Sequence, residues 1–137
     1  MRKIELKTFP DLGLAMAFRN FLEVLWQGLL PEEKKKNLIL AFDEVFTNAV
    51  KYGSGPSSVV WVEFKIEKKK LSFMVSDEGG GKKIKTSDLM KNIKNRKNNL
   101  LDTSGRGMSV LIPNLCSGFQ VTDNKFGGIS VEAWKNV

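Results

Sequence analysis

The sequence has no histidine and only one cysteine, Cys116, so no disulfide can form within the chain. A lone cysteine fits a reducing compartment. No apolar run approaches the roughly 20 residues that a membrane-spanning helix needs. The opening stretch, MRKIELKTFP, has basic side chains but no apolar stretch behind them, so it does not resemble a signal peptide. These absences predict a cytoplasmic protein without a membrane segment.

The remaining composition is ordinary for a globular protein. With 137 residues, of which 42% are hydrophobic and 27% charged, the chain is predicted to form a single domain over residues 1–137. Its formal net charge is +7, and between residues 82 and 104 seven basic residues stand against two acidic ones. Such a segment can bind a polyphosphate, a nucleic acid or an acidic protein partner, and it is equally typical of a solvated loop.

Hydrophobic periodicity predicts the order of helices and strands. The second helix is expected to have Pro31 in its first turn and Gly53 as its C-terminal stop. Alternating apolar residues predict an edge strand at the start of the chain and, later, an antiparallel hairpin and two final strands. A helix from about residue 105 is expected to be kinked or shortened by Pro113. The predicted strands cover 2–8, 59–67, 71–76, 119–122 and 129–134, and the two long helices cover 12–30 and 31–52.

The second helix carries the first candidate functional residues, within NLILAFDEVFTNAVKYG at 37–53. A helical projection places Glu44, Asn48 and Lys51 together, opposite an apolar arc. Because Glu44 and Asn48 are one turn apart, a carboxylate and an amide oxygen lie side by side, which suits a hydrated Mg²⁺ ion and a proton acceptor. The same pattern is typical of a solvated helix face. The apolar arc comprises Leu38, Ile39, Phe42, Val45, Phe46, Ala49 and Val50.

Two glycine clusters provide the other candidates. Asp77-x-Gly79-x-Gly81 follows a predicted strand, where glycine lets the backbone approach a ligand and Asp77 can accept a hydrogen bond from an exocyclic amine such as that of adenine. Gly105-x-Gly107 precedes a predicted helix, whose N-terminal N–H groups suit phosphates. Each cluster alone is also typical of a turn. Neither is a Walker loop or a dinucleotide-binding fingerprint, because the required glycine spacings are absent.

Taken in order, these motifs resemble the ATP-binding site of the GHKL ATPase superfamily, which includes gyrase, histidine-kinase and MutL domains. The motifs are Glu44-x-x-x-Asn48-Ala49 on a helix, the first glycine cluster after a strand, and a second glycine box that opens a helix. In length and detail, DEVFTNAVKYG and GRGMSVLI are similar to motifs of the small anti-sigma-factor serine/threonine kinases. The resemblance spans about residues 8 to 134. It implies an α/β two-layer sandwich of the Bergerat type, with a mixed, mostly antiparallel sheet and helices on one face.

The resemblance also implies roles for the candidate residues. Glu44 is expected to be the general base, whose assistance is typically worth about 10²–10⁴-fold in rate. Asn48 is expected to give its side-chain oxygen to Mg²⁺, and Asp77 to bind the adenine amino group. Lys51 is a candidate phosphate contact, and residues 82–104 are expected to form a lid over ATP. The other candidates for ATP binding are Gly79, Gly81, Gly105, Arg106, Gly107 and Met108.

The implied function is that of an anti-sigma regulatory factor with ATP-dependent serine/threonine kinase activity. Such a protein binds a sigma factor and, using Mg-ATP, phosphorylates an anti-anti-sigma antagonist of the STAS type. The family also suggests a homodimer, with the first helix region as a contact surface. A complete sensor histidine kinase is not expected, because the chain lacks the histidine that would accept the phosphate, and it could at most be a detached catalytic module of one.

Departures from the family pattern favour an alternative, a partner-binding or ATP-binding switch of the same fold that lacks kinase activity. Lys82 stands where an apolar residue is usual, Pro113 interrupts the expected helix, and Ile129 stands where a threonine after glycine is common near the nucleotide. The net charge suggests a second alternative, a small nucleic-acid-binding protein. Against it, residues 82–104 contain no aromatic side chain on which bases could stack, so no direct nucleic-acid partner is expected.

Overall fold

Residues 1–53, 59–79 and 113–137 are described by a computed structural model of the chain. The lid segment 82–104, Gly81 and the second glycine box lie outside these residues. Within the described ranges a strand is followed by two long helices and then by four further strands. The elements are β1 (Arg2–Thr8), α1 (Leu14–Leu25), α2 (Glu32–Tyr52), β2 (Val60–Ile66), β3 (Lys70–Ser76), β4 (Gly118–Asp123) and β5 (Ile129–Asn136).

The five strands form one sheet in the order β1-β2-β3-β5-β4. As predicted, β1 lies at an edge, and β2 and β3 form an antiparallel hairpin. The predicted fold class is confirmed, with one difference in the sheet. All the pairings among these strands are antiparallel, whereas the resemblance implies a mixed sheet. Short turns connect β2 to β3 and β4 to β5, and a short turn can join only antiparallel strands.

One face of the sheet is buried by the helices. Two rows of apolar side chains run across the strands on this face, and none of these residues is more than 3% exposed. Because successive side chains of a strand point to opposite faces, the intervening residues form a second face, where charged and polar side chains predominate. The buried rows are Phe64, Phe73 and Ala133, and Val62, Val75 and Val131.

An aromatic cluster fixes the helices on the sheet. Phe18 of α1 lies edge-on to Phe42 of α2, with ring centroids 5.4 Å apart, and Phe42 lies edge-on to Phe73 of β3 at 5.3 Å. Trp26, just after α1, is fully buried with its ring edge-on to Phe64. Such aromatic pairs contribute about 0.5–1.5 kcal/mol each beyond the area they bury. The predicted apolar arc of α2 is therefore the face that holds this helix on the sheet.

Helix α1 is shorter than the sequence predicts, because it ends at Leu25 rather than near residue 30. Gly28, in the connection to α2, has a φ of 75°. This left-handed conformation cannot continue a right-handed helix and is easily adopted only by glycine. Leu29, where the apolar spacing ends, is 38% exposed and belongs to the connection after the helix, not to a further helical turn.

A buried lysine joins the two helices. Lys35 of α2 is 4% exposed, and its Nζ lies 2.8 Å from Glu23 of α1 and 2.9 Å from Glu32 of α2. The two carboxylates give this ammonium group the partners that it would otherwise find in water. Hydrophobic periodicity gives no sign of this contact, since it depends on two side chains from different helices.

Residues 113–115 are helical, so Pro113 lies within helical structure. The predicted beginning of that helix, near residue 105, lies outside the described residues. In the described ranges, no helix is both long enough and apolar enough to cross a membrane.

Candidate functional site

Glu44 and Asn48 lie side by side on α2, as their spacing predicts. The Asn48 Nδ2 group donates a hydrogen bond to Glu44 Oε1 at 3.4 Å. Because an ionised carboxylate only accepts hydrogen bonds, the amide nitrogen faces Glu44 and the amide oxygen of Asn48 is directed elsewhere. The alternative of a solvated helix face does not hold for Asn48, which is only 4% exposed.

The surroundings of Glu44 favour its protonated form. Burial raises the pKa of Glu44 above its ordinary value, the negative charge of Asp43 raises it further, and the positive charge of Lys51 opposes both effects. Asp43 is itself paired with α1, since Nη2 of Arg19 lies 3.3 Å from Asp43 Oδ2. A carboxylate with a raised pKa is a better proton acceptor at neutral pH, provided that it remains ionised.

Asp77 follows β3 directly and is held by backbone N–H groups. The residue is 3% exposed, and its Oδ1 accepts hydrogen bonds from the N–H groups of Gly79 at 2.9 Å and of Ile129 at 3.1 Å. The Asp77 N–H group in turn donates to the carbonyl oxygen of Ile129 at 3.0 Å. Both the backbone and the carboxylate of Asp77 are therefore fixed at the end of the strand.

Glycines pack so closely against Asp77 that side chains would not fit. A Cβ on Gly53 would overlap the Asp77 carboxylate, and a Cβ on Gly128 would overlap both Oδ1 and the backbone of Asp77. Gly79 has a φ of 78°, and its Cβ would lie 2.6 Å from the carbonyl oxygen of Gly127. As predicted, α2 ends at Tyr52 with Gly53 as its C-cap, but the Gly53 φ of −109° is not left-handed, so any residue could adopt this conformation. Gly53 is therefore required by the position of Asp77 and not by the end of the helix.

In the β4–β5 turn, residues 124–128, the resemblance places only the glycine before Ile129 near the nucleotide, and Asn124 is not predicted to be part of this pocket. The Asn124 Nδ2 group donates to the carbonyl oxygen of Asp77 at 3.0 Å. Its Oδ1 accepts hydrogen bonds from the N–H groups of Phe126 at 2.9 Å and Gly128 at 3.1 Å. Asparagine followed by paired glycines is typical of a turn supported by its own side chain. That signal predicts the turn but not the strand end that it meets.

Ile129 contributes to the pocket through its backbone. Its N–H group binds Asp77 Oδ1, while its side chain is 7% exposed and belongs to the hydrophobic core. A threonine would offer the same N–H group at this position. The departure from the family pattern at Ile129 therefore leaves the support of the Asp77 carboxylate unchanged.

The end of α2 meets the end of β3. The Glu78 N–H group donates to the carbonyl oxygen of Gly53 at 3.2 Å, beside the contact between Gly53 and Asp77. At about 1.5 Å of rise per residue, Asn48 lies about 7.5 Å and Glu44 about 13.5 Å along the helix axis from Gly53. The fold thus places the helix motif and the Asp77 pocket at one end of the sheet. The predicted residues that lie outside the described ranges are Gly81, Gly105, Arg106, Gly107 and Met108.

No group of three or more histidine, cysteine, aspartate or glutamate side chains within 1–53, 59–79 and 113–137 could enclose a metal ion. A magnesium ion does not need such a group, because it usually keeps several water ligands and takes few oxygens from the protein beside those of a bound phosphate. The amide oxygen of Asn48, which is directed away from the Glu44 carboxylate, fits that limited donor set.

Comparisons with known proteins match the chain as a whole. A protein-family model described as a histidine kinase-like ATPase domain matches residues 10–129. The fold is similar to that in the crystal structure of the RsbU and RsbW domains of Rv1364c from Mycobacterium tuberculosis, with a TM-score of 0.66 and 14% sequence identity. The match covers 98% of this chain but 32% of that one, and at this identity it shows a shared fold alone. No curated protein sequence matches the chain.

We expect Gly53→Ala to destabilise the fold by about 1–3 kcal/mol, because the new methyl group overlaps the Asp77 carboxylate. The backbone of Gly53 suits alanine, so without this overlap the substitution would stabilise the protein by about 0.4–1 kcal/mol. Urea unfolding measures the difference. The matched control is Gly13→Ala, whose Cβ would meet only the movable side chain of Asp11, at 3.1 Å. A Gly53→Ala variant as stable as the control would contradict the close packing.

The raised pKa of Glu44 predicts a pH dependence of stability. Because the native state binds this proton more tightly than the unfolded chain, the stabilisation is complete below the ordinary pKa of 4.5 and is lost as the pH rises through the native value. Glu44→Gln removes the titrating group. We therefore expect the melting temperature of the variant, relative to the unaltered protein, to be highest at neutral pH and to fall as the pH approaches 4.5. A difference that stays constant with pH would show that burial does not affect Glu44.

Proposed function

Because the chain belongs to the histidine kinase-like ATPase family, we propose that it is an anti-sigma regulatory factor with serine/threonine kinase activity. It binds a sigma factor, and it uses Mg-ATP to phosphorylate a serine or threonine of an anti-anti-sigma protein of the STAS type. The domain spans residues 1–137, with residues 82–104 as the lid over ATP. The protein acts in the cytoplasm, where its partners are found.

The observation that carries this proposal is the glycine-lined pocket around Asp77. Its carboxylate is fixed by two backbone N–H groups and can accept a hydrogen bond from the adenine amino group. Glycine at Gly53 and Gly128 lets the end of α2 and the β4–β5 turn close on this carboxylate, so that Asp77 is held in one position for a ligand. A pocket built only to bury a carboxylate would not need to lie beside the end of the helix that carries Glu44 and Asn48.

The residues of α2 are assigned to the phosphate end of the nucleotide. Asn48 offers its amide oxygen to Mg²⁺, and Lys51 contacts a phosphate group. Mg-ATP, when bound, supplies the phosphoryl group and the metal charge that neutralises the phosphate oxygens. Glu44 would accept the proton of the attacking serine or threonine hydroxyl as the hydroxyl oxygen bonds to the γ-phosphorus, while the bond from that phosphorus to the bridging oxygen breaks and ADP leaves. The raised pKa of Glu44 supports this assignment, because it increases the proton affinity of the base.

The second glycine box is assigned to the phosphate groups, through backbone N–H groups at the start of a helix. The residues concerned are Gly105, Arg106, Gly107 and Met108, with Gly81 completing the adenine side. Helix α1 is assigned to protein contacts, either with a partner or within a homodimer. The apolar side chains that α1 exposes to solvent support this assignment, among them Met16, which is 64% exposed, and Val24, which is 72% exposed.

Asp77→Asn should abolish most ATP binding while leaving the fold intact. If the amide oxygen takes the place of Oδ1, the N–H groups of Gly79 and Ile129 keep their acceptor, and an NH₂ group then faces the adenine amino group. We expect a loss of affinity of about tenfold to a hundredfold by calorimetric titration of Mg-ATP. The control is Asp123→Asn, the same change at an exposed aspartate on β4. Equal ATP affinity in both variants would reject Asp77 as the adenine contact.

Glu44→Gln should retain ATP affinity but slow phosphate transfer to a purified STAS-type protein by about 10²–10⁴-fold, because glutamine cannot accept the proton. The measurement is single-turnover transfer of labelled γ-phosphate, with the ATP affinity of the variant determined beside it. Full transfer by the variant would reject Glu44 as the base. If the unaltered protein binds ATP and transfers no phosphate, the chain is instead the partner-binding switch without kinase activity.

A further inference from the structure

The face of the sheet turned away from the helices carries a cavity of its own. Its volume is about 660 Å³, which lies in the range of sites that bind small ligands or peptide side chains. It opens where Trp61 of β2 meets the β4–β5 turn, and its lining includes Lys7, Trp61, Lys125 and Phe126. We call these four residues the aromatic–lysine patch. None of them was assigned a role by the sequence.

The aromatic part of the patch is preformed. The ring of Phe126 stacks on that of Trp61 with centroids 3.7 Å apart and planes 8° from parallel. The turn that carries Phe126 is itself fixed, because Asn124 accepts the N–H groups of Phe126 and Gly128 and donates to Asp77. Phe126 nevertheless remains 37% exposed. A ligand that packs on this stack would therefore lose little binding energy to reordering of the protein.

The charges around the cavity leave an excess of positive charge. The two glutamates in its lining, Glu5 and Glu63, form ion pairs with lysines of the neighbouring row. The Lys3 Nζ atom lies 2.9 Å from Glu5 and 3.6 Å from Glu63. The Lys65 Nζ atom lies 3.7 Å from Glu63. Lys7 and Lys125 are exposed, and neither forms an ion pair with a carboxylate of the described ranges. Two ammonium groups thus flank an apolar aromatic stack without a counter-charge from these parts of the chain.

We propose that the aromatic–lysine patch binds an acidic, extended segment of a protein partner. Carboxylates of the segment pair with Lys7 and Lys125. An apolar side chain packs on the exposed part of the Phe126 ring, beside the Lys125 Nζ atom that lies 5.4 Å from the ring centroid. Opposite charges steer such a segment to the patch, and burial of the apolar side chain supplies affinity. The patch faces away from the helices, so a nucleotide beside Asp77 would not occupy the same surface.

A nucleic acid fits this surface less well. The Trp61 and Phe126 rings already stack on each other, so a base could insert between them only by separating the two rings. Glu132, in the same row across the sheet as Glu5 and Glu63, forms no ion pair within the described ranges, and its carboxylate opposes the passage of a phosphate backbone. A short segment that touches only the end of the sheet avoids this acidic row.

The test is fluorescence anisotropy with a fluorescein-labelled, glutamate-rich peptide that contains one central leucine, added to the full chain without nucleotide. We expect saturable binding. The double variant Lys7→Ala, Lys125→Ala should weaken it about tenfold, and Phe126→Ala about fivefold. A peptide with glutamine in place of glutamate should not bind measurably. Circular dichroism establishes that each variant is folded.

The matched control is the double variant Lys68→Ala, Lys69→Ala, which removes the same charge from exposed positions in the turn between β2 and β3, at the other end of the sheet. It should bind the peptide as the unaltered protein does. Equal weakening in both double variants would overturn the proposal, because binding would then follow net charge alone. Absence of saturable binding would also overturn it. Tighter binding of single-stranded oligothymidylate, lost in the patch variants, would assign the surface to nucleic acid instead.

Discussion

The burial of one carboxylate, that of Asp77, imposes requirements on three separate parts of the chain. The end of α2 must carry a glycine, because Gly53 lies against the carboxylate. The β4–β5 turn must also do so, because Gly128 touches both the carboxylate and the backbone of Asp77. The segment after β3 must bend so that the Gly79 N–H group reaches Oδ1. A buried charge is tolerated only where donors surround it, so these parts of the chain are fixed relative to one another by a single side chain.

The sheet separates two kinds of surface. On one face, Phe64 and Phe73 pack under the helices, and the aromatic cluster that includes Phe18 and Phe42 forms the core. On the other face, glutamates and lysines lie in adjacent rows, and Trp61 stacks with Phe126. The β4–β5 turn is shared by both sides, since Asn124 binds Asp77 and also holds the backbone of Phe126. A partner on the open face and a nucleotide near Asp77 would thus contact the same short turn from different directions.

Most elements of the fold are predictable because they follow from local periodicity. Strand β1 and helix α2 lie almost where the alternating and helical patterns place them, and Glu44 and Asn48 meet because one helical turn separates them. Periodicity fails at the end of α1, where the apolar spacing continues through Gly28 although the backbone has left the helix. Periodicity also does not predict the ion pairs between the two helices. Lys35 of α2 pairs with Glu23 of α1, and Asp43 of α2 pairs with Arg19 of α1.

The sequence by itself determined most of the described secondary structure, the buried face of α2 and the identity of Asp77 as the residue at the end of a strand, since each depends on neighbours within a few positions. Only the tertiary structure decided that Gly53, Asn124 and Gly128 gather around Asp77. It also decided that Trp61 meets Phe126, a residue 65 positions later in the chain. Contacts of this kind depend on strand order and register, and nothing in a local pattern states which strand ends will lie together.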